Sequence, residues 1–187
     1  VVRVPVGGGI RAVEHHSESN EALFAHIPGL HVAYPSSPED AAAMLEYSCH
    51  LGAPVIFFEP KRLYWHRRRQ NRVAAQPISA LGARVIRSGA DITVAGWGAV
   101  LEEALAAAEQ LAGAVDVEVV DLRWIAPMDV DTVLTSAART GRLLIVHEAI
   151  EFCGVGAELA ATVSERAWHD LDAPVRRLAP PRHIHPP

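Results

Sequence analysis

The sequence has few cysteines and no long apolar run. Its two cysteines, Cys49 and Cys153, lie far apart and form neither a CxxC pair nor a metal-ligand spacing. We therefore expect buried, reduced thiols and neither a disulfide framework nor a metal site. No apolar run approaches the roughly 18 residues that a membrane-spanning helix needs, and no charged and then apolar leader precedes the first predicted strand. These absences predict a cytoplasmic protein without a membrane segment.

The sequence also lacks a large excess of either charge. The net charge is -5 and 21% of the residues are charged, which argues against broad nucleic-acid binding. We interpret the one basic run, residues 66–72, as a solvated linker or a partner-docking face. Half of the residues are hydrophobic, so 187 residues can bury one large core or two small ones. The start within a predicted strand and the final Pro186-Pro187 lead us to expect a longer natural sequence.

Hydrophobic patterning predicts an α/β protein in two parts. The first part has predicted strands at 1–6, 30–34 and 55–58, and predicted helices at 20–26 and 41–49. The composition of residues 60–77 then shifts to Arg, Gln, Asn and Pro, which is typical of a linker. In the second part, predicted strands at 91–95, 117–120, 143–146 and 175–178 alternate with predicted helices at 100–111, 130–138 and 156–168. This alternation predicts a parallel sheet with right-handed crossovers.

A histidine pair precedes the first predicted helix. His15 and His16 lie on the loop that follows the first strand, directly before the polar residues Ser17, Glu18 and Ser19. Ligands of open α/β sheets bind at the carboxyl edge of the strands, where this loop lies. An imidazole has an ordinary pKa near 6.5 and can therefore exchange a proton at neutral pH. The loop is a candidate active site, although a histidine there could instead merely cap the following helix.

Several blocks of residues occur in a recognisable order along the chain. They are His16-Ser17-x-Ser19, Glu21-Ala22-x-Phe24-x-His26-x-Pro28-Gly29-Leu30, Tyr34-Pro35-Ser36-x-Pro38-x-Asp40-Ala41, Phe58-Glu59-Pro60-Lys61-x-Leu63-Tyr64, Asp121-Leu122-Arg123-x-Ile125-x-Pro127-x-Asp129, Thr140-Gly141-Arg142 and His147-Glu148-Ala149. Together they resemble the beta subunit of the thiamine-diphosphate-dependent 2-oxo acid dehydrogenases, which are related to transketolase. The resemblance extends over nearly the whole chain.

The resemblance implies a fold, a cofactor and partners. Residues 1–65 would be the back half of a pyrimidine-binding domain, 66–77 a linker, and 78–187 a transketolase C-terminal-like domain with a parallel sheet. The cofactor would be thiamine diphosphate with Mg²⁺, held mainly by an alpha subunit in an α2β2 assembly that also contains a beta-beta dimer. The glutamate that activates the cofactor and the diphosphate site would lie outside this chain. A lipoyl acyltransferase would be a further partner.

The resemblance also assigns a role to the histidine loop. His16 matches the family's active-site histidine and would orient or protonate the reaction intermediate and assist acyl transfer to the lipoyl group. His15 is expected to be a neighbour, while Ser17 and Ser19 are expected to cap the helix and fix the loop. Glu18 replaces the family's usual glutamine, and its carboxylate would raise the pKa of His16 if the two side chains met.

Other motifs favour structural roles. Asp121 and Arg123, and likewise His147 and Glu148, follow predicted strands and are expected at subunit interfaces. Two glycine pairs, Gly96-x-Gly98 and Gly154-x-Gly156, are explained by tight packing between strands and helices, because a nucleotide loop would need a third glycine. Cys153 stands where relatives more often have glycine. No metal site is predicted, and potassium binding near residues 49–54 stays an open alternative.

The predicted activity is oxidative decarboxylation of a 2-oxo acid followed by reductive acylation of a lipoyl domain. Residues 57–61 and Trp97 favour branched-chain substrates over pyruvate. We expect the isolated chain to be inactive. The alternatives are a non-catalytic assembly or docking fragment of such a subunit and another transketolase-like enzyme.

Overall fold

The computed structural model describes residues 1–10, 17–65 and 82–183. Within these ranges the strands are β1 (Val2–Val6), β2 (His31–Ala33), β3 (Val55–Pro60), β4 (Arg84–Arg87), β5 (Ile92–Gly96), β6 (Val117–Asp121), β7 (Trp124–Ala126), β8 (Leu143–Val146) and β9 (Arg176–Leu178). The helices are α1 (Glu21–Ala25), α2 (Pro38–His50), α3 (Val100–Gln110), α4 (Val130–Thr140) and α5 (Val155–Arg166), with short 3₁₀ helices at Lys61–Trp65 and Trp168–Asp170. The predicted linker 66–77, the basic run 66–72 and the pair His15 and His16 lie outside the described residues.

The first sheet has four strands in the order β1-β3-β2-β7. The strands β1, β3 and β2 are parallel, and β7 pairs antiparallel with β2. All six residues of β3 are buried, as predicted for a central strand that is covered on both faces. Helix α2 begins at Pro38, three residues before its predicted start, because Ser37 caps it by accepting a hydrogen bond from the Asp40 N–H at 3.1 Å.

The second sheet has five strands in the order β4-β6-β5-β8-β9. The pairs β6/β5, β5/β8 and β8/β9 are parallel, which confirms the parallel sheet predicted from the alternating pattern. Strand β4, which was not predicted, pairs antiparallel with β6 at one edge. Among the described residues, no helix is long and apolar enough to cross a membrane.

One hydrophobic core joins the two sheets. It includes Tyr34 and Phe58 from the first sheet side and Trp97, Val120 and Ile145 from the second. Trp124 of β7 packs in a separate cluster on the first sheet, so that the second half of the chain contributes a strand to the first. The expectation of buried thiols is wrong, since Cys49 and Cys153 are both free and exposed. Cys49 lies near the end of α2 and Cys153 in a surface turn.

Candidate active site

Residues after five parallel strands from both sheets meet at one edge of the molecule. They are Gly7 after β1, Tyr34 after β2, Arg62 after β3, Trp97 after β5, and His147 with Glu148 after β8. A Cβ atom added at Gly7 would lie 2.9 Å from Glu148 Oε2 and 3.9 Å from the Tyr34 hydroxyl, so strand ends of both sheets converge there. This is the edge at which α/β proteins bind ligands.

The segment that follows the histidine pair is held at this edge. Ser17 is buried, and the backbone N–H of Gly7 donates a hydrogen bond to the Glu18 carbonyl at 3.2 Å. The hydroxyls of Ser19 and Tyr34 share a hydrogen bond at 3.4 Å. The prediction that Ser17 and Ser19 cap the helix is wrong, because Asn20 is the N-cap residue of α1 and makes no side-chain capping bond. Ser19 binds Tyr34 instead and so helps to fix the loop.

Glu21, the first residue of α1, has a fully buried carboxyl group. Its Oε1 accepts a hydrogen bond from the indole N–H of Trp97 at 2.9 Å, and its Oε2 has no hydrogen-bond partner among the described residues. Burial raises the pKa of Glu21 to about 7. Glu21 was not predicted as a site residue, although it lies directly after the loop and is the first residue of one of the motif blocks.

His147 is a second buried titratable group at this edge. Its ring stacks on Trp97 with centroids 5.0 Å apart and an interplanar angle of 8°. The Nδ1–H donates to the Ala149 carbonyl at 2.9 Å, and Nε2 has no partner among the described residues. Burial lowers the pKa of His147 to about 4, so the ring is neutral at pH 7.

Both predicted glycine pairs pack closely against this cluster. A Cβ atom at Gly156 would lie 2.5 Å from His147 Nε2, and one at Gly98 would overlap the Tyr34 ring. A Cβ atom at Gly96 would lie 2.6 Å from the Val146 carbonyl oxygen. Tight packing therefore explains the glycines, as predicted. Cys153 has a φ of 56°, the left-handed backbone conformation that glycine adopts most readily.

Glu148 lies next to the cluster and faces Arg62. The Arg62 guanidinium is 3.6 Å from Glu148 and 2.6 Å from Glu103. Burial raises the pKa of Glu148, whereas the positive charge of Arg62 acts to lower it. Arg62 thereby ties the end of β3 to both α3 and the end of β8.

Asp121 and Arg123, the other predicted interface pair, have partners within the chain. Asp121 is fully buried, accepts hydrogen bonds from the Ser36 hydroxyl and from the Arg123 N–H, and has a pKa raised to about 7 by burial. The Arg123 guanidinium donates to the Gly82 carbonyl at 2.8 Å and is 3.7 Å from Asp40. These contacts connect the two halves of the chain.

A cavity of about 660 Å³ lies beside α1. Its wall includes Ala22, Ala25 and His26 from α1 and its C-cap, Pro127 from the loop after β7, and Val155 from α5. The outer side of α1 is exposed, with Leu23 at 70%. The short helix α1 is therefore packed on only part of its surface. Within the described ranges, no group of three or more His, Cys, Asp or Glu side chains could hold a metal ion.

Comparison with known proteins gives consistent matches along the chain. Residues 1–66 match the family model "Transketolase, pyrimidine binding domain", and residues 82–187 match "Transketolase, C-terminal domain". The pyruvate dehydrogenase E1 component subunit beta of Leifsonia xyli subsp. xyli is 44% identical over 96% of this chain and 53% of that protein. The 2-oxoisovalerate dehydrogenase subunit beta of Dictyostelium discoideum is 41% identical over 95% of this chain and 48% of that protein.

A solved structure shows the same fold. A split-gene transketolase, described as an inactive beta4 tetramer, aligns with a TM-score of 0.77 and 22% identity over 95% of this chain and 56% of that chain. The chain thus spans about half the length of the curated relatives that it matches. On the domain matches and on this similarity, the chain belongs to the transketolase family, with a pyrimidine-binding domain followed by a transketolase C-terminal domain.

Proposed function

We propose that this chain is part of the beta subunit of the decarboxylating component of a 2-oxo acid dehydrogenase complex. The observation that carries this proposal is the 40–44% identity, over nearly the whole chain, to proteins named as pyruvate dehydrogenase beta subunits. The proposed reaction is thiamine-diphosphate-dependent oxidative decarboxylation of a 2-oxo acid, followed by transfer of the acyl group to the lipoyl domain of an acyltransferase.

His16 is the proposed catalytic residue, with His15, Ser17, Glu18 and Ser19 as its supporting loop. Two observations support this assignment. The motif resembles the family's active-site loop, and Glu18 and Ser19, which follow His16, are hydrogen-bonded to Gly7 and Tyr34 at the convergent edge. A histidine there would hold or move a proton at an oxygen of the reacting substrate. If the Glu18 and His16 side chains meet, the Glu18 carboxylate would raise the pKa of His16, and this remains part of the proposal.

The described residues do not fit the diphosphate end of the cofactor. They contain no cluster of metal-ligating side chains, and the Arg62 guanidinium at the convergent edge is already paired with Glu103 and Glu148. We therefore propose that an alpha subunit holds the diphosphate and its Mg²⁺. This chain would contribute the histidine loop, and by itself it would be inactive.

The proposed assembly is α2β2 with a beta-beta dimer, to which the lipoyl acyltransferase docks. In this assembly Asp121, Arg123, His147 and Glu148 would lie near subunit interfaces, although all four also have contacts within the chain. The exposed faces of α1 and of the turn around Phe152 leave apolar surface for such contacts, with Leu23 and Phe152 at 70% and 60% exposure.

We also propose a preference for branched-chain substrates over pyruvate. Relatives named for both substrate classes have similar identity to this chain, 44% for one and 42% for the other. The preference therefore rests on the motif at residues 57–61 and on Trp97. Phe57, Phe58 and Trp97 are all buried, so that any influence on the substrate would act through packing.

Reconstitution tests this proposal. The complete subunit, expressed from the whole reading frame, is combined with its alpha partner and thiamine diphosphate and assayed with pyruvate and with branched-chain 2-oxo acids. We expect decarboxylation, which His16→Ala lowers by about 100-fold or more, the range of a lost general acid or base. His50→Ala, which changes an exposed histidine at the end of α2, is the matched control and should stay within a few-fold of wild type. Absence of turnover with every 2-oxo acid, or equal effects of the two variants, would refute it.

A further inference from the structure

Three contacts hold the segment from Ser17 to Glu21, which continues directly from His16. Two of them lead to the first sheet, through the Gly7 N–H and through the Tyr34 hydroxyl. The third runs from Glu21 Oε1 to the indole N–H of Trp97, which follows β5 of the second sheet. Glu21 is thus the point at which this segment is fixed to the other half of the chain.

The anchor on the second sheet is rigid. Trp97 is 2% exposed and stacks on His147, whose Nδ1–H is bound to the Ala149 carbonyl. Gly156 packs directly against the other part of the His147 ring, where no side chain could fit. The indole N–H therefore points in a fixed direction, and the carboxyl group that binds it is fixed as well.

Helix α1 is short and is packed on one side. It has five residues, a cavity lies along part of it, and Leu23 is exposed. Ala22, Phe24 and Ala25 pack against the core, and the Phe24 ring meets Phe58 edge-on at 5.7 Å. An isolated helix of this length is unstable, so its position depends on these few tertiary contacts.

Burying a carboxyl group costs free energy that burying an apolar side chain does not. Glu21 is fully buried, and its Oε2 has no partner among the described residues. Burial of a polar atom without a hydrogen bond is unfavourable, and such atoms in folded proteins call for a reason. The hydrogen bond that Oε1 accepts from the Trp97 N–H explains why this position carries an oxygen acceptor instead of an apolar side chain.

We propose that Glu21 is a positioning residue, which acts through Trp97 to hold the segment from Ser17 to Asn20 in register with the second sheet. This inference rests on the proposed function, because the held segment is the supporting loop of the proposed active site. Glu21 itself touches neither substrate nor cofactor in this account. Its loss should lower kcat while leaving KM for the 2-oxo acid largely unchanged.

The test uses the complete subunit reconstituted with its alpha partner and four variants. Glu21→Ala removes the acceptor, Trp97→Phe removes the N–H but keeps a ring against His147, and the double variant completes the cycle. Glu21→Gln keeps an oxygen that can accept from Trp97. Val163→Ala, a core truncation in α5, is the control for a general loss of stability.

Two readouts separate this inference from the proposed function. Hydrogen exchange of a peptide that covers residues 17–25 should become about tenfold faster in Glu21→Ala and in Trp97→Phe, and not in Val163→Ala. kcat should fall about 10- to 100-fold in each single variant, as expected for a misplaced catalytic loop, with no further loss in the double variant and recovery in Glu21→Gln.

Each contrary result has a defined meaning. Unchanged exchange in Glu21→Ala overturns the inference, and so does wild-type kcat, a loss equal to that of Val163→Ala, or additive losses in the double variant. A wild-type complex without 2-oxo acid turnover would instead refute the proposed function, and the exchange measurement would still decide whether Glu21 anchors the segment.

Discussion

At the scale of single residues, burial sets the charge of the groups around the convergent edge. Glu21 and Asp121 each have a pKa raised to about 7, while His147 has a pKa lowered to about 4. All three shifts favour the neutral form, as desolvation requires. The two acids therefore change their charge near neutral pH, and His147 does so only in acid.

Asp121 gives a prediction for the pH dependence of stability. Its folded pKa lies above its unfolded value of 3.8, so the folded state binds more protons and its contribution to stability falls as pH rises from about 4 to 7. Asp121→Asn mimics the neutral acid. Its amide oxygen can accept from the Arg123 N–H, and its NH2 group can donate to the Ser36 hydroxyl oxygen once that hydroxyl rotates.

We expect the variant to gain stability relative to wild type between pH 5 and 7.5, by roughly 2 to 4 kcal/mol for a shift of this size. Urea unfolding of both proteins at several pH values measures the difference in their free energies of unfolding. The opposite contribution of His147 is the same in both proteins and cancels in this difference. The exposed Asp116→Asn serves as the control. A difference between Asp121→Asn and wild type that does not change with pH would contradict the assigned pKa.

At the scale of elements, the sequence predicted every α-helix and most strands of the described residues, because their apolar periodicity is local. It missed β4 and β7. Arg84–Arg87 is half-exposed and short, and Trp124–Ala126 has only three residues, which pair with β2 from the first part of the chain. Such pairing depends on distant chain segments, which a local pattern does not contain.

The candidate site was likewise only partly predictable from the sequence. The motif drew attention to the loop after β1, and the structure places the described part of that loop at the convergent edge. The link from Glu21 to Trp97 spans 76 positions and could not be inferred from spacing. The sequence suggested only an interface position for His147. Its stacking on Trp97 likewise could be seen only in the three-dimensional structure.

The turn after β5 supplies a prediction at this scale. Gly98 has a φ of 70°, and a Cβ atom there would overlap the Tyr34 ring. Gly113 has a φ of 90° and open space around it. Gly98→Ala should therefore lower the free energy of unfolding by about 2 to 4 kcal/mol, from backbone strain plus overpacking, and Gly113→Ala by about 1 kcal/mol from strain alone. Thermal or urea denaturation compares them, and equal losses would disprove the packing of Gly98 on Tyr34.

At the scale of the whole molecule, the two sheets share one core and expose one common edge. Trp97 and Phe58 belong to the same hydrophobic cluster, and Arg62 connects β3 to the residues after β8. The two parts of the chain are thus held together by the shared hydrophobic core and by ion pairs that join residues of one part to residues of the other. The Arg62 guanidinium at this edge is already paired with Glu103 and Glu148, so in the proposed function an alpha subunit would hold the diphosphate.

A structure of the reconstituted complex with bound thiamine diphosphate tests this claim most directly. We predict that the imidazole of His16 lies at the seam between the alpha subunit and this chain, within hydrogen-bond reach of the substrate-binding end of the cofactor. We also predict that the alpha subunit holds the diphosphate. A His16 ring enclosed in the hydrophobic interior, away from any subunit boundary, would contradict the proposed function.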